Sequence, residues 1–370
     1  MNKVIDQRGD NVFIFFSNSD DKQWVIPQRN IKTGLNLYQP SSLKGKLLKR
    51  WLPSLKNIDL VQSVIGIEER QYALSEELEV LFQKLFGIEN IEFSVFGGTP
   101  SVHQKMTIQI FSEDRILGYC KVSNNTEIKK IFRHEKGILD ELKQKGIEQV
   151  PECLFCGNFK EDIDLFVQTT AKTNASKTIH QWEDQHSFFL KELHEKTRRQ
   201  LPFGETAFAR MLDKLSQQLS RVSAVEGTVL KKGIEQVRDH YEGREVMFSM
   251  FHGDFTPWNM FVEEGELFVF DWEYAKRTCP PFMDRFHFFT QTAIFEKKMT
   301  GQEIFDIYQS IKKYFLKYIN NPDLIFQCYL LTVVSQYLER NKLSGLEEDI
   351  RKHMHNWLEI LNKINGVVNK

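Results

Sequence analysis

Late in the chain two carboxylates and an amide fall close together. Asp254 and Asn259 lie in Phe251-His-Gly-Asp-Phe-Thr-Pro-Trp-Asn259, and Asp271 ends the apolar run Leu267-Phe-Val-Phe-Asp271. An amide oxygen and a carboxylate are hard donors that suit Mg²⁺. A further carboxylate can take the proton of an attacking hydroxyl. Together they are the equipment of phosphoryl transfer. Two upstream residues fit the same chemistry. Lys121 sits inside the apolar run Leu117-Gly-Tyr-Cys-Lys-Val, and Glu135 shares helical spacing with Ile128, Ile131, Phe132, Leu139 and Leu142. A carboxylate on a buried stripe needs a partner, and Lys121 is the obvious one. Taken singly, the plainer readings are a solvent-facing strand lysine and a glutamate at the edge of its stripe.

These residues need particular elements to position them. The expected hairpin has strands over 259–263 and 267–271 around the three-residue loop Glu264-Gly265-Glu266, a common hairpin connection. That register opposes Val262 to Phe268, Met260 to Phe270 and Asn259 to Asp271. It places the last pair side by side next to Asp254. Strands are expected over 91–96, 105–111, 116–122, 150–157 and 163–168. A helix is expected over 126–145, with Asn125 or Thr126 as its N-cap and Gly146 as its stop. A glycine turn, Gly97-Gly-Thr-Pro-Ser101, precedes the strand pair.

His252-Gly-Asp254-Phe-Thr-Pro-Trp-Asn259 followed by Phe270-Asp271-Trp-Glu resembles the aminoglycoside phosphotransferase and choline kinase-like enzymes. Their pattern is His-Gly-Asp-x-x-x-x-Asn, then an Asp after a short hairpin. The resemblance covers about 91–370 and is specific within 252–273. It implies an α+β, protein-kinase-like bilobal fold: a small antiparallel β lobe with one helix, then a mainly helical large lobe. It also implies ATP and Mg²⁺. Asp254 is then the catalytic base, and Asn259 and Asp271 are the metal ligands. Lys121 contacts the nucleotide phosphates and Glu135 orients it. Gly97 and Gly98 let backbone approach the phosphates, with Ser101 and Val102 offering N–H groups. Gln168 to Thr170 is the hinge facing the adenine. His252 steadies the loop, and Asp284 either bonds backbone near it or begins a helix. Gly253 stands where protein kinases carry Arg, and Pro280-Pro281 follow closely after Asp271, so a small-molecule hydroxyl acceptor is expected rather than a protein.

The rest of the chain bounds this reading. At 370 residues it is long enough for two or three domains. Its net charge of −1 gives no general field for holding nucleic acid. No apolar run is long enough to span a bilayer, and 324–338 reads as a buried helix. Five cysteines show no disulfide framework, which fits a cytoplasmic protein. The expected division is an N-terminal α/β extension over 1–90, a nucleotide-binding small lobe over 91–170, and a helical large lobe with the catalytic loop and acceptor site over 171–370. The extension carries strands over 11–16 and 23–26, a basic helix over 42–52 stopped by Pro53, and a helix begun by Ser75 and ended by Gly87. It serves structure or docks a protein partner. Helices are expected over 178–199, 206–222, 230–241, 302–319, 322–341 and 346–365.

Other candidates are weaker. Cys153-Leu-Phe-Cys156 lacks a second half for zinc and reads as structural. His180, His186 and His194 read as one helix face. Glu183, Asp184, Glu192 and Glu273 could line an acceptor pocket, although surface charge is the plainer reading. A second function class stays open: a nucleotide-binding pseudokinase or scaffold acting through a partner. The acceptor is narrowed only to sugars, amino-alcohols, aminoglycosides and similar alcohols.

Overall fold

The computed structural model describes residues 4–18, 20–40, 43–55, 67–98, 104–340 and 348–368. The chain forms two compact units. One comprises Met1–Lys177 with Val262–Phe268, and the other Thr178–Phe261 with Val269–Lys370.

The first unit is built on one sheet. Its strands are β1 (Ile5–Ser17), β2 (Gln23–Pro27), β3 (Glu68–Leu74), β4 (Glu92–Phe96), β5 (Met106–Ser112), β6 (Arg115–Ser123), β7 (Cys153–Lys160) and β8 (Ile163–Thr169). They run in the order β3-β1-β2-β4-β5-β6-β8-β7, and the neighbours pair antiparallel. The described part of 1–90 is therefore not set apart. Trp24 and Val25 of β2 pair with Phe96 and Val95 of β4, which joins the first three strands to the others.

Alternation along β1 explains how the sheet is covered. Phe13 faces one apolar cluster with Leu78 and Phe82 of a helix. Ile14 and Phe16 face a second cluster with Trp24, Tyr38 and Leu52. The helices here are α1 (Ile31–Gly34), α2 (Leu43–Leu55), α3 (Glu76–Phe86) and α4 (Thr126–Gln144). Ser75 stands at the N-cap position of α3 without a side-chain capping bond, and Gly87 closes the helix at φ 68°. The Asn125 side chain accepts from the Glu127 and Ile128 N–H groups at the start of α4. One expectation fails at α2, which contains Pro53 and continues to Leu55. The ring forfeits a single backbone bond near the helix end, where little helix remains to be lost.

The second unit holds α5 (Asp184–Thr197), α6 (Ala207–Gln217), α7 (Ala224–Tyr241), α8 (Met283–Gln291), α9 (Gly301–Leu316), α10 (Pro322–Arg340) and α11 (Glu348–Ile364). A small sheet of β9 (Arg199–Pro202), β10 (Glu245–Phe251) and a later strand, Lys276–Cys279, accompanies them. α10 is the central element: Phe326, Tyr329, Leu330, Leu331, Val334 and Leu338 are all fully buried. A helix apolar on every side must be surrounded. Among the described residues no helix is long and apolar enough to cross a membrane. α5 begins later than its apolar pattern suggests, because the Glu183 N–H donates to Nδ1 of His186 (3.0 Å) and starts the helix there. His180 thus lies outside the helix that carries His186 and His194, and its Nδ1 meets Glu296 (2.7 Å) instead.

Candidate active site

In the first unit the expected Lys121–Glu135 pair forms. Lys121 is paired in register with Thr107 of β5 and Phe166 of β8, so the flanking ladders fix its strand. Its Nζ lies 2.9 and 2.7 Å from the two carboxylate oxygens of Glu135. Glu135 is fully buried and Lys121 nearly so. Glu135 sits on the α4 face that also buries Ile128, Phe132, Ile138, Leu139 and Leu142. The Phe166 ring lies 5.4 Å from the ammonium and closes its surroundings.

The glycine turn is described only as far as Gly98, so Ser101 and Val102 lie outside the described residues. Gly97 donates its N–H to the Gln23 carbonyl (2.9 Å) and accepts from the Gln104 side chain (2.8 Å). Gly98 has φ +85°, and a Cβ there would stand 2.3 Å from the Lys105 carbonyl oxygen. Only glycine fits so close an approach of two backbones. Gln168 lies inside β8, in register with Tyr119 and Cys153, while Thr170 is past the strand end. The Thr170 hydroxyl accepts from the Lys172 N–H (3.1 Å).

In the second unit the residues of the expected catalytic loop come together. Asp254 Oδ2 accepts from Asn259 Nδ2 (2.9 Å), which also donates to the Asp254 carbonyl (3.0 Å). Both of these bonds use Asn259 Nδ2 and neither uses Oδ1. The Asp254 side chain is 23% exposed. The loop itself is fixed from behind. Asp284, buried on α8, accepts the backbone N–H groups of His252 (2.9 Å) and Gly253 (3.2 Å). Gly253 has φ +84°, and a Cβ there would lie 2.6 Å from the Tyr274 carbonyl. Glycine at this point is thus a steric requirement of the loop.

His252 accepts the Asp254 N–H at Nδ1 (3.1 Å), and its Nε2 lies 3.1 Å from the Phe270 carbonyl. One acceptor and one donor nitrogen define a neutral ring. Burial lowers its pKa to about 4, although Asp254, the Phe270 carbonyl and Asp271 pull the other way. The imidazole therefore acts as a neutral brace, not a charge. Burial pushes the Asp284 carboxyl up to about 7 against the pull of its two N–H donors.

The hairpin departs from the expected register. Its strands are β11 (Met260–Glu263) and β12 (Glu266–Val269), joined by a two-residue loop. Both loop residues, Glu264 and Gly265, have positive φ, at 51° and 89°, as a tight hairpin turn of the right twist requires. The Phe270 N–H donates to the Asn259 carbonyl (3.0 Å), so Asn259 opposes Phe270 and not Asp271. A one-residue change of register exchanges the faces. Met260, Phe261, Leu267 and Phe268 are all buried, so the hairpin is covered on both faces. Asp271 leaves the strand in a left-handed conformation (φ 68°, ψ 60°) and leads into the turn Trp272–Tyr274. Near the loop, the Lys177–Val262 bridge and a Thr173–Glu263 bond (2.8 Å) tie the hairpin down.

Two residues join the site unannounced. Glu273, read above as surface charge, is nearly buried. Its carboxylate lies within 4.8 Å of that of Asp271. Two carboxylates so close repel unless a cation or proton intervenes. The Asp271 and Glu273 carboxylates are hard oxygen donors of the kind that suit a divalent cation such as Mg²⁺. His287 places Nε2 3.2 Å from Asp254 Oδ1. Its position three residues after Asp284 on α8 is the only signal the sequence offered. Cys153 and Cys156 lie on β7, and burial raises their thiols to about 12 and about 11. Among the described residues no metal-ligating cluster includes either cysteine.

No protein-family model matches the sequence, and no curated protein matches it. Solved structures do. A thermostable mutant of aminoglycoside phosphotransferase APH(4)-Ia, in its apo form, is similar with a TM-score of 0.51 at 12% identity. That match covers 77% of this chain and 98% of the other. Amicoumacin kinase hAmiN in complex with AMP-PNP, Ca²⁺ and Ami gives 0.46 at 11% identity, over 78% and 93% of the two chains. The streptomycin-ATP-APH(2")-IIa ternary complex gives 0.46 at 14% identity, over 79% and 98%. At such identity the first likeness is one of fold. The chain has the aminoglycoside phosphotransferase, protein-kinase-like fold, with an antiparallel sheet lobe and a helical lobe.

Proposed function

We propose that this chain is an ATP-dependent phosphotransferase that moves the γ-phosphoryl group to a hydroxyl of a small molecule. The observation that carries the reading is the buried ion pair of Lys121 and Glu135. A lysine held by a wholly buried glutamate costs several kcal/mol of desolvation. It makes chemical sense as a fixed positive group facing polyphosphate. The fold agrees, and a similar solved structure is that of an aminoglycoside phosphotransferase.

Asp254 takes the proton from the acceptor hydroxyl as the oxygen bonds to the γ-phosphorus. The bond from that phosphorus to the ADP oxygen breaks, and ADP leaves. Asn259 holds the carboxylate in place, while Asp284 and His252 hold the loop. Lys121 neutralises phosphate charge, with Glu135 fixing its ammonium. Asn259, Asp271 and Glu273 are the residues that would hold Mg²⁺, which supplies positive charge to the phosphate oxygens when bound. Gly98 gives backbone the room to approach the phosphates. Thr170, past the end of β8, is the better hinge candidate than Gln168, which lies within the ladders.

The test is ADP release by the full chain with Mg·ATP against a panel of aminoglycosides, amino-alcohols and sugars. Acceptor-dependent release is expected for at least one class. Mg·ATP binding with no stimulated release across the panel would transfer the weight to a nucleotide-binding scaffold. Mg·ATP should also raise the melting temperature of wild type and not of Asp271→Ala. Equal stabilisation of both would remove Asp271 from the metal set.

A further inference from the structure

We infer that His287 is the positioning residue of Asp254: its Nε2–H holds the carboxylate at Oδ1 while Asn259 holds Oδ2, and the ring carries no proton onward. The inference rests on the proposed role of Asp254. The geometry is specific. His287 Nε2 lies 3.2 Å from Asp254 Oδ1, and Asn259 Nδ2 lies 2.9 Å from Oδ2. Each carboxylate oxygen is thus met by a nitrogen donor from a different element. A carboxylate oxygen can accept more than one hydrogen bond, so a nitrogen donor does not by itself bar a substrate hydroxyl.

His287 is 2% exposed. Its ring stands edge-on to Tyr329 (centroids 5.6 Å, 90°) and to Phe251 (6.5 Å, 73°). Its Nδ1 is buried with no hydrogen-bond partner. That orphan decides the tautomer. A proton on Nδ1 would bury an unsatisfied N–H and turn the lone pair of Nε2 against a carboxylate. A proton on Nε2 avoids both. It also decides the role. A relay needs a second partner to receive the proton, and Nδ1 has none. His287 can therefore orient the base but not drain it.

The helix makes this a rigid arrangement. Asp284 and His287 are three residues apart on α8 and share a face. Asp284 grips the loop backbone at His252 and Gly253, and His287 grips the reacting carboxylate. One helix turn thereby sets both the loop and the side chain it presents. A carboxylate with one holder could rotate, and misplacement of a reacting group by about 1 Å can cost about 10²-fold in rate.

The experiment measures ADP formation by the full chain from Mg·ATP alone, with water as the hydroxyl donor, so it does not wait on the acceptor. Wild type, Asp254→Asn, His287→Leu and His287→Gln are compared, with melting temperatures as the fold control. Glutamine keeps an N–H at about the reach of Nε2, and leucine removes it. The expected result is a kcat about 10- to 10²-fold lower in His287→Leu with KM for ATP unchanged, and most of the rate restored in His287→Gln. A wild-type rate in His287→Leu while Asp254→Asn is slow overturns the inference and leaves the kinase reading standing. Equal loss in the leucine and glutamine variants, both folded, also overturns it. A wild-type rate in Asp254→Asn removes the base itself, and the inference with it. Nitrogen NMR of the histidine rings gives an independent answer: Nε2–H is expected for the signal absent from His287→Gln, and Nδ1–H contradicts the assignment.

Discussion

Glu135 and Asp254 are both carboxylates in strategic places, yet they are held in opposite ways. Glu135 is fully buried and meets a cation, with the Lys121 ammonium at 2.7 and 2.9 Å. Asp254 is 23% exposed and meets nitrogen donors from an amide and an imidazole. A cation beside a buried carboxylate keeps it charged and fixed, which suits a group that must only aim a lysine. Partial exposure suits a group that must receive a proton and meet a substrate. The difference matches the roles proposed for the two: one a scaffold for a charge, the other the reacting group.

That comparison can be broken at several points. The largest effect is expected at Asp254. Asp254→Ala should lower turnover by about 10²- to 10⁴-fold, the usual contribution of a general base, while Mg·ATP still stabilises the chain. Loss of nucleotide binding in this variant would make Asp254 part of the binding site instead. At the other pole, Lys121→Met leaves Glu135 buried without the ammonium and should cost about 3–5 kcal/mol in denaturant unfolding. Adding Glu135→Leu should recover much of that stability without recovering activity. If the double variant is as unstable as the single one, the pair is not the cause.

A smaller effect concerns the buried Asp284. Its carboxyl is raised to about 7 from 3.8 by burial. Between about pH 4 and 7 the folded chain keeps a proton there that the unfolded chain has released. This group's contribution to stability therefore falls as pH rises through that window. His252, lowered from 6.5 to about 4, works the other way: its contribution is lost as pH falls from about 6.5 to 4. Asp284→Asn should remove the first slope and leave the second, so its stability should climb more steeply with pH than that of wild type. Parallel curves would contradict the assignment. The smallest change is expected at Gly98→Ala. A left-handed backbone with a Cβ 2.3 Å from the Lys105 carbonyl must shift locally. A modest rise in KM for ATP with near wild-type melting is expected, and an unchanged KM would detach the turn from the phosphates.

What the sequence revealed follows from the range of the interactions involved. Glu135 was legible because helical periodicity placed a carboxylate on an apolar face, and an ordered list of strands put a lysine opposite it. The loop residues Asp254 and Asn259 were legible because they share one short motif. The partnership of His287 with Asp254 was not. It is made across 33 residues, and in the sequence the histidine stands between Phe286 and Phe288 like one more member of an aromatic run. Glu273 looked like surface charge because burial at a turn has no period. The hairpin register was missed by one residue because Glu264 accepts a left-handed backbone beside Gly265, shortening the loop. The union of residues 1–90 with the later strands rests on the pairing of β2 with β4, a contact between edges that no local pattern announces.

The central claim is that a phosphoryl group passes from ATP to a carbon-bound hydroxyl. Following the γ-phosphate label itself tests it most directly, using an acceptor that stimulates ADP release. Label is expected on the acceptor in equal amount to the ADP formed, and none on the acceptor with Asp254→Ala. Label recovered only as inorganic phosphate, or on the acceptor to the same extent with Asp254→Ala, would contradict it.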